Sequence, residues 1–447
     1  MKRAIILFAV LSCLPSSSFG QSPVRLSLAD AIARGFANSH RLAEARAREE
    51  GAIAAATSAD LADKPIVGAS AAYSRTNHVT EFSFPQLNGT RLVVYPDIPN
   101  NITSRVGFQW PIYTSGRVDA LERAAIAEAQ AAGADIETTR ADLRFEIVRA
   151  YWAAVTAREA ERVLEESTAR AEKQLGDARQ RFDVGLIPPN EVSSLEAQRS
   201  RERAQLIEAT NIREGAIIDL RRLIGVPQDA VIELVDALDA GGSTGSSGST
   251  SSTGDVPVLV KQALDARPER KALTFRIGGA EARQQAALTA TKPTLSLGGG
   301  FDYANPNRKI FPVQRKWDES WDVSVNVNWN FFDSGRAKSQ AAEAAAIVTA
   351  TRERLAEFDS VVSADVRQRL LDLESSQAMV RAASDAVRSA ADASRVVGDR
   401  FGAGVATSTD ILVAQVAQLE AELVRTRALA GVRLAEARLD RALGRQP

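Results

Sequence analysis

The side chains that most often do chemistry are scarce in this 447-residue chain. There is one cysteine, Cys13, and there are two histidines, His40 and His78. A single cysteine excludes an intramolecular disulfide. One Cys and two His also fall short of a structural zinc site. A Ser-His or Cys-His pair would have to use His40 or His78, and no nucleophile motif accompanies either, so both read as solvated surface groups. The run Gly241 to Gly254 contains only Gly, Ser and Thr. It lacks the lysine of a phosphate-binding loop and reads as a linker. Gly298-Gly299-Gly300 leads into no helix start, so a dinucleotide turn is not indicated. No catalytic residue, metal or cofactor is expected. Lys plus Arg number 55 against 56 Asp plus Glu, a formal net charge of −1. That balance lacks the basic footprint of a nucleic-acid binder.

The elements must therefore explain the function. Lys2 and Arg3 precede an apolar run, Ala4 to Leu11, that is too short to span a bilayer. Ser18-Phe19-Gly20 places small residues where a signal peptidase reads. The pattern predicts a signal peptide over 1–20, cleaved after Gly20, with Cys13 removed. Lipidation at Cys13 is the competing reading, and bulky Leu11 stands where a small residue is usual. Export without disulfides points to a bacterial envelope. No later stretch has the ~18 consecutive apolar residues of a membrane helix. A mature chain within a membrane would thus need a closed β-barrel.

An internal duplication organises the rest. Gln109 to Arg117 resembles Asn328 to Arg336, Arg181 to Gly185 resembles Arg400 to Gly404, and Leu223-Ile224-Gly225 matches Ala442-Leu443-Gly444, all at an offset of 219 positions. Lys64-Pro65 matches Lys292-Pro293 at an offset of 228, so the first copy carries nine extra residues before Trp110. The expected organisation is a first repeat over 21–227, a linker over 228–255 and a second repeat over 256–447. Each repeat should run helix, strand, loop, strand, long helix, tight turn, helix.

The strands show period-2 alternation. From Trp321 to Phe331, one face is Trp321, Val323, Val325, Val327, Trp329 and Phe331; the other is Asp322, Ser324, Asn326, Asn328 and Asn330. Val325 is expected to face lipid and Asn326 the lumen. Arg105 to Ile112, Leu295 to Tyr303 and Val67 to Tyr73 alternate likewise, and all approach the 9–11 residues of a tilted membrane strand. The insertion, around Thr76 to Thr103, reads as the longest non-helical loop. Proline-free helices should run from Val118 to Phe182 and Ala337 to Phe401. At ~65 residues each would span on the order of 100 Å, which implies a coiled coil or tube. Leu164, Thr168, Ala171, Leu175, Ala178 and Phe182 form a 3.5-residue seam, repeated by Ala383, Val387, Ala390, Ser394, Val397 and Phe401. Gly185 and Gly404 permit the sharp reversals that follow. Four strands are too few for a barrel, for which eight is the practical minimum; three chains would supply twelve.

The sequence resembles the TolC family of outer-membrane efflux proteins. The resemblance is carried by Leu28-Ala29-Asp30-Ala31-Ile32, by Trp110 and Trp329 with a Ser-Gly-Arg after each, by the Arg-Phe-x-x-Gly motifs at 181–185 and 400–404, and by the endings Leu223-Ile224-Gly225 and Ala442-Leu443-Gly444. It covers essentially the whole mature chain. It implies an α+β membrane protein: a homotrimer with a twelve-stranded outer-membrane β-barrel continued by a long α-helical coiled-coil tunnel in the periplasm of a Gram-negative bacterium. The implied function is a passive exit duct of a tripartite efflux or type I secretion system. The implied partners are outer-membrane lipid, a periplasmic adaptor (membrane fusion) protein and an inner-membrane pump or ABC transporter. The periplasmic gate falls on Asp410, with Glu191 its counterpart in the first repeat. The family can place an Arg and a second acid nearby; here Ala406 and Val413 hold those positions, so a latch by that Arg is not expected. Locally, Asp410 also reads as a helix cap. The adaptor-contact tips are Val184, Gly185 and Leu186, with Ala403, Gly404 and Val405. A periplasmic coiled-coil adaptor or scaffold is the alternative; it would explain the hairpins but not four strands of membrane length.

Overall fold

A computed structural model describes residues 24–87, 89–239 and 255–445. The expected signal peptide with Cys13, and the Gly/Ser/Thr run 241–254, lie outside the described residues. In chain order the elements are β1 (Val24–Leu26), α1 (Leu28–Asn38), α2 (His40–Asp60), β2 (Ile66–Arg75), β3 (Phe82–Pro85), β4 (Arg91–Tyr95), β5 (Asn100–Tyr113), α3 (Arg117–Asp183), α4 (Pro189–Ile224), β6 (Ile232–Leu234), α5 (Val256–Ala266), α6 (Pro268–Leu288), β7 (Thr294–Asn305), β8 (Asp318–Asn328), α7 (Arg336–Gly402) and α8 (Ser408–Ala442). The order α1-α2-β2-β5-α3-α4 recurs as α5-α6-β7-β8-α7-α8. Both long helices have 67 residues, which is why the 219-residue register holds through them.

Two helices precede each strand pair, where one was expected. In the second repeat Pro268 opens α6 and holds Arg267 extended at φ −66°, ψ 123°, which breaks the helical run. The insertion is not wholly irregular: β3 and β4 pair as an antiparallel hairpin. Its base is closed by Thr76 N donating to the Pro99 carbonyl (2.8 Å) and by His78 Nδ1 against Asp97 Oδ2 (2.6 Å). The stretch after Gly225, read as linker, carries β6, which pairs in parallel with β1.

The described residues fall into two compact units that cut across the repeats. One lies within Met1–Ser39, Ala141–Gly254 and Gln368–Pro447, the other within His40–Arg140 and Asp255–Arg367. The second unit holds a four-stranded sheet, antiparallel throughout, in the order β2-β5-β7-β8. Ala69, Val106, Phe301 and Trp321 form one cross-strand row, and Ser70, Arg105, Asp302 and Ser320 form the next. Because paired residues share a face, the rows alternate between an apolar and a polar side. β8 stops at Asn328, so Trp329 to Phe331 lie outside the strand that the alternation suggested. Each strand pair passes into its long helix through Ser-Gly-Arg. Ser115 and Gly116 have φ of 56° and 79°, Ser334 and Gly335 have 55° and 88°, and the second position of such a left-handed pair strongly favours glycine. Asp333 then caps α7 by accepting from Gly335 N (3.1 Å) and Ala337 N (2.7 Å).

In the first unit the α3 seam is buried at Leu164, Thr168, Ala171, Leu175 and Ala178, against residues of α4 and α8 such as Leu195 and Leu419. The α7 seam is buried at Ala383 and Phe401 and half-buried between them. Tyr151, wholly buried on α3, anchors the β1–β6 pair. Its hydroxyl lies 2.7 Å from Asp236 Oδ2 and 3.1 Å from the Leu26 carbonyl, and accepts from Asp236 N at 3.3 Å. Burial first, then the Asp236 carboxylate, pushes this phenol above its usual range, so it stays a donor at neutral pH. Tyr151→Phe should cost about 1–3 kcal/mol, the penalty for leaving buried partners unpaired. Hydrogen exchange at Arg25 and Leu26 should accelerate while that of central α3 does not. Unchanged exchange at β1 would refute this anchoring role.

Candidate functional site

The polar face of the sheet carries a charged cluster that sequence reasoning passed over. Arg105 on β5 donates from Nη1 and Nη2 to the two oxygens of Asp322 on β8 (2.9 and 3.0 Å), and from Nη1 to Asp302 Oδ2 on β7 (2.7 Å). Lys309, from the β7–β8 connection, donates to Asp302 Oδ2 (2.5 Å) and Asp322 Oδ1 (2.6 Å). Two cations thus meet two anions. Room for the guanidinium comes from glycine: a Cβ on Gly300 would lie 2.6–2.8 Å from Arg105 Nη2, Cζ and Nε. The glycine run Gly298 to Gly300, set aside as a dinucleotide turn, therefore has a packing reason. On the other face, a Cβ on Gly299 would meet the Phe108 ring at 2.8 Å.

That other face is apolar and bare. Trp321, Val323, Val325 and Val327 are 61–76% exposed. Aromatics mark both ends of the sheet. Tyr73, Tyr303 and Trp317 lie at the loop end, the last two stacked at 4.9 Å; Trp110, Tyr113 and Trp329 lie at the helix end. The two duplicated tryptophans make the same contact, Trp110 Nε1 to the Asp63 carbonyl (2.9 Å) and Trp329 Nε1 to the Thr291 carbonyl (3.0 Å).

At the far ends of α3 and α7, the tips are built alike. Gly185 and Gly404 have φ of 77° and 75°. Leu186 N donates to the Arg181 carbonyl and Gly185 N to Phe182; Val405 N donates to Arg400 and Gly404 N to Phe401. These paired bonds terminate each helix. Val184, Leu186 and Val405 remain 64–74% exposed, with Gly185, Ala403 and Gly404 also at the surface. Arg181 brings the two tips together. Its Nη1 donates to the Phe401 carbonyl (2.9 Å), its Nη2 to the Gly402 carbonyl (3.3 Å), and its guanidinium stands 5.0 Å over the Phe401 ring. Its identity as a motif residue was legible; its role as the cap of a neighbouring helix was not. Asp410 sits in a capping box, accepting from Thr407 N (2.9 Å) and Thr407 Oγ1 (2.8 Å). These bonds, with the nearby Arg400 charge, hold its carboxyl below the usual range. The cap is therefore complete at neutral pH and is lost only as acid protonates the carboxylate. Glu191 is half-buried in the first turn of α4.

A water-soluble sheet hides its apolar face. This one leaves a row of Val and Trp open along strands of 10–14 residues, between two bands of aromatics, as lipid-facing strands do. No described helix is long and apolar enough to cross a membrane. The fold and its surfaces define an outer-membrane channel protein. The chain belongs to the outer membrane efflux protein family, whose model matches residues 32–226 and 259–445. Outer membrane protein TolC of Vibrio cholerae is 24% identical over 418 residues, covering 92% of this chain and 88% of the relative. Protein CyaE of Bordetella pertussis is 26% identical over 348 residues, covering 74% and 70%. The solved outer membrane protein VceC from Vibrio cholerae has the same fold, with a TM-score of 0.77 at 20% identity over 93% of this chain and 96% of that one. The protein is an exit duct of the Gram-negative outer membrane with a large periplasmic portion.

The exposed faces yield a direct test. Val325→Arg should destabilise the membrane-inserted form by ~2–4 kcal/mol near the bilayer midplane, and Asn326→Arg much less. Folding into vesicles from urea measures both. Equal losses would refute the assignment of lipid to the valine face.

Proposed function

We propose that three copies of this chain close one twelve-stranded barrel, and that the duct receives cargo through a periplasmic adaptor from an inner-membrane pump or ABC transporter. One observation carries the assembly. Among the described residues β2 and β8, of 10 and 11 residues, are edges without a partner strand. A bilayer offers no water to unpaired strand edges. Strand directions alternate across the sheet, so β8 of one copy can pair antiparallel with β2 of the next, and three copies close the ring.

The tips support the same arrangement. Arg181 caps the end of α7 within the chain. Arg400, its equivalent at the 219-residue offset, has no such partner among the described residues. Phe182 correspondingly stays 42% exposed, whereas Phe401 is 6% exposed. In a ring, Arg400 reaches the α3 end of the adjacent copy. Arg400→Cys combined with Asp183→Cys should therefore form disulfide-linked dimers and trimers on oxidation. Arg181→Cys with Gly402→Cys should cross-link only within the chain. Monomers alone from the first pair would overturn this trimer.

Three copies of Asp410 would ring the axis past the turn, with Glu191 forming a second ring nearby. Carboxylates so placed repel one another and favour bound cations. Ala406 makes this a charge filter more than a salt-bridge lock. The open glycine backbones at 185 and 404, flanked by unburied Val184, Leu186, Ala403 and Val405, suit close approach of an adaptor's helical hairpin. In planar bilayers Asp410→Asn should weaken cation selectivity and raise the trivalent-cation concentration needed to block. If neither changes, Asp410 is a helix cap only.

A further inference from the structure

The β7–β8 connection, residues 306–317, lies at the end of the sheet away from α6 and α7. It folds back rather than standing clear. Asn307, 3% exposed, donates from Nδ2 to the Asp318 carbonyl (3.1 Å) and to Ser320 Oγ (2.9 Å), and its Oδ1 accepts from Lys309 N (2.9 Å). Arg308 Nη2 donates to Asn101 Oδ1 (2.9 Å), and Lys309 Nζ to Asp302 and Asp322. Asn101, Asp302, Ser320 and Asp322 all belong to the polar face, as the pairing register requires. Three successive side chains of the connection are therefore drawn onto one side of the sheet.

Resting on the barrel reading, in which the polar face lines the lumen, we infer that residues 306–317 form a strap folded into the outer mouth of the duct, held by Lys309, whose release both widens the mouth and makes it cation-selective. The two cations of the cluster are not equivalent. Arg105 grows from mid-strand, lies flat over Gly300 and binds Asp322 through two bonds, so it is part of the wall. Lys309 reaches the same carboxylates from a loop, on a flexible stem with 47% of its side chain exposed. With Lys309 seated, two carboxylates face two cations and the cluster is neutral. With it withdrawn, two carboxylates face one guanidinium, and each protomer presents one net negative charge to the lumen. Partly exposed ion pairs are individually weak, which suits a contact that must release. They are also screened by salt, with a Debye length falling from about 10 Å at 0.1 M to about 3 Å at 1 M. Guest cations would compete for the same carboxylates.

The test is single-channel recording of the full-length protein in planar lipid bilayers. Lys309→Gln should at least double the conductance and raise K⁺ over Cl⁻ selectivity. Asn307→Ala, which removes a second anchor and leaves the charges in place, should raise conductance with a smaller change in selectivity. Lys309→Arg should recover the narrow state. Wild-type conductance should rise more than in proportion to salt between about 0.1 M and 1 M, and that excess should vanish in Lys309→Gln. Channels of unchanged conductance and selectivity in Lys309→Gln would overturn the strap while leaving the duct intact. Failure of every form, wild type included, to make channels would overturn the barrel reading and the strap with it.

Discussion

Backbone N–H and C=O groups cannot be left bare in hydrocarbon, and the rest of the molecule answers to that rule. A four-stranded sheet satisfies its inner strands and leaves two edges open. A globular protein could cover such edges with a helix or a loop. A lipid-facing sheet has no such cover, because its outer face must stay apolar and thin. The trimer proposed above meets that need with another copy of the same sheet. The duplicated chain follows from the same economy, since one strand-pair-plus-hairpin unit used twice gives both edges compatible strand directions.

The duplication is an approximate symmetry, and its departures are informative. The α3 seam is buried inside the chain, whereas the middle of the α7 seam is only half-covered. Arg181 has helix-end carbonyls to bind, whereas the Arg400 charge acts on the carboxylate of Asp410. Buried polar ties set the stagger of α3 against α4. Glu161 pairs with Arg213 (2.8 Å) and accepts from Thr210 Oγ1, and Glu202, 2% exposed, accepts from Ser167 Oγ and Gln198 Nε2. A seam rich in Ala and Ser could slide by a heptad at modest cost. Charged partners buried at fixed heights cannot, because each slip would strand a charge away from its partner.

Much of this was legible in the sequence because period and repeat are local signals. Trp321 to Val327 alternates with period 2, Leu164 to Ala178 steps by 3.5, and Gly185 and Gly404 mark the reversals. The missed features depend on distant partners. β1 and β6 are three residues each and exist only as a pair some 200 positions apart, held by Tyr151 and Asp236. The β3–β4 hairpin carries Pro85 in its own strand, which disguises it as loop. Trp329 continues the alternation but lies beyond the last β7–β8 pair, Thr294 with Asn328, where Pro293 has no N–H to extend the ladder. The Arg105 cluster draws one residue each from β5, β7, β8 and a loop, and no linear spacing announces such a set.

The two faces of the sheet obey opposite requirements, and glycine reconciles them. On the lipid side each strand must present bulk, so Phe108 and Phe301 flank Gly299, and the Phe108 ring occupies the space that a side chain there would fill. On the polar side charges must be paired at short range without bulk to hold them apart, so Gly300 lets the Arg105 guanidinium lie against the backbone. A larger residue at 300 would lift the guanidinium away from Asp322 and Asp302, and those carboxylates would then depend on Lys309 alone. The three successive glycines, 298 to 300, thus serve both faces in turn. In the proposed barrel they let a wall one strand thick be greasy outside, charged inside and still regular in its hydrogen bonding.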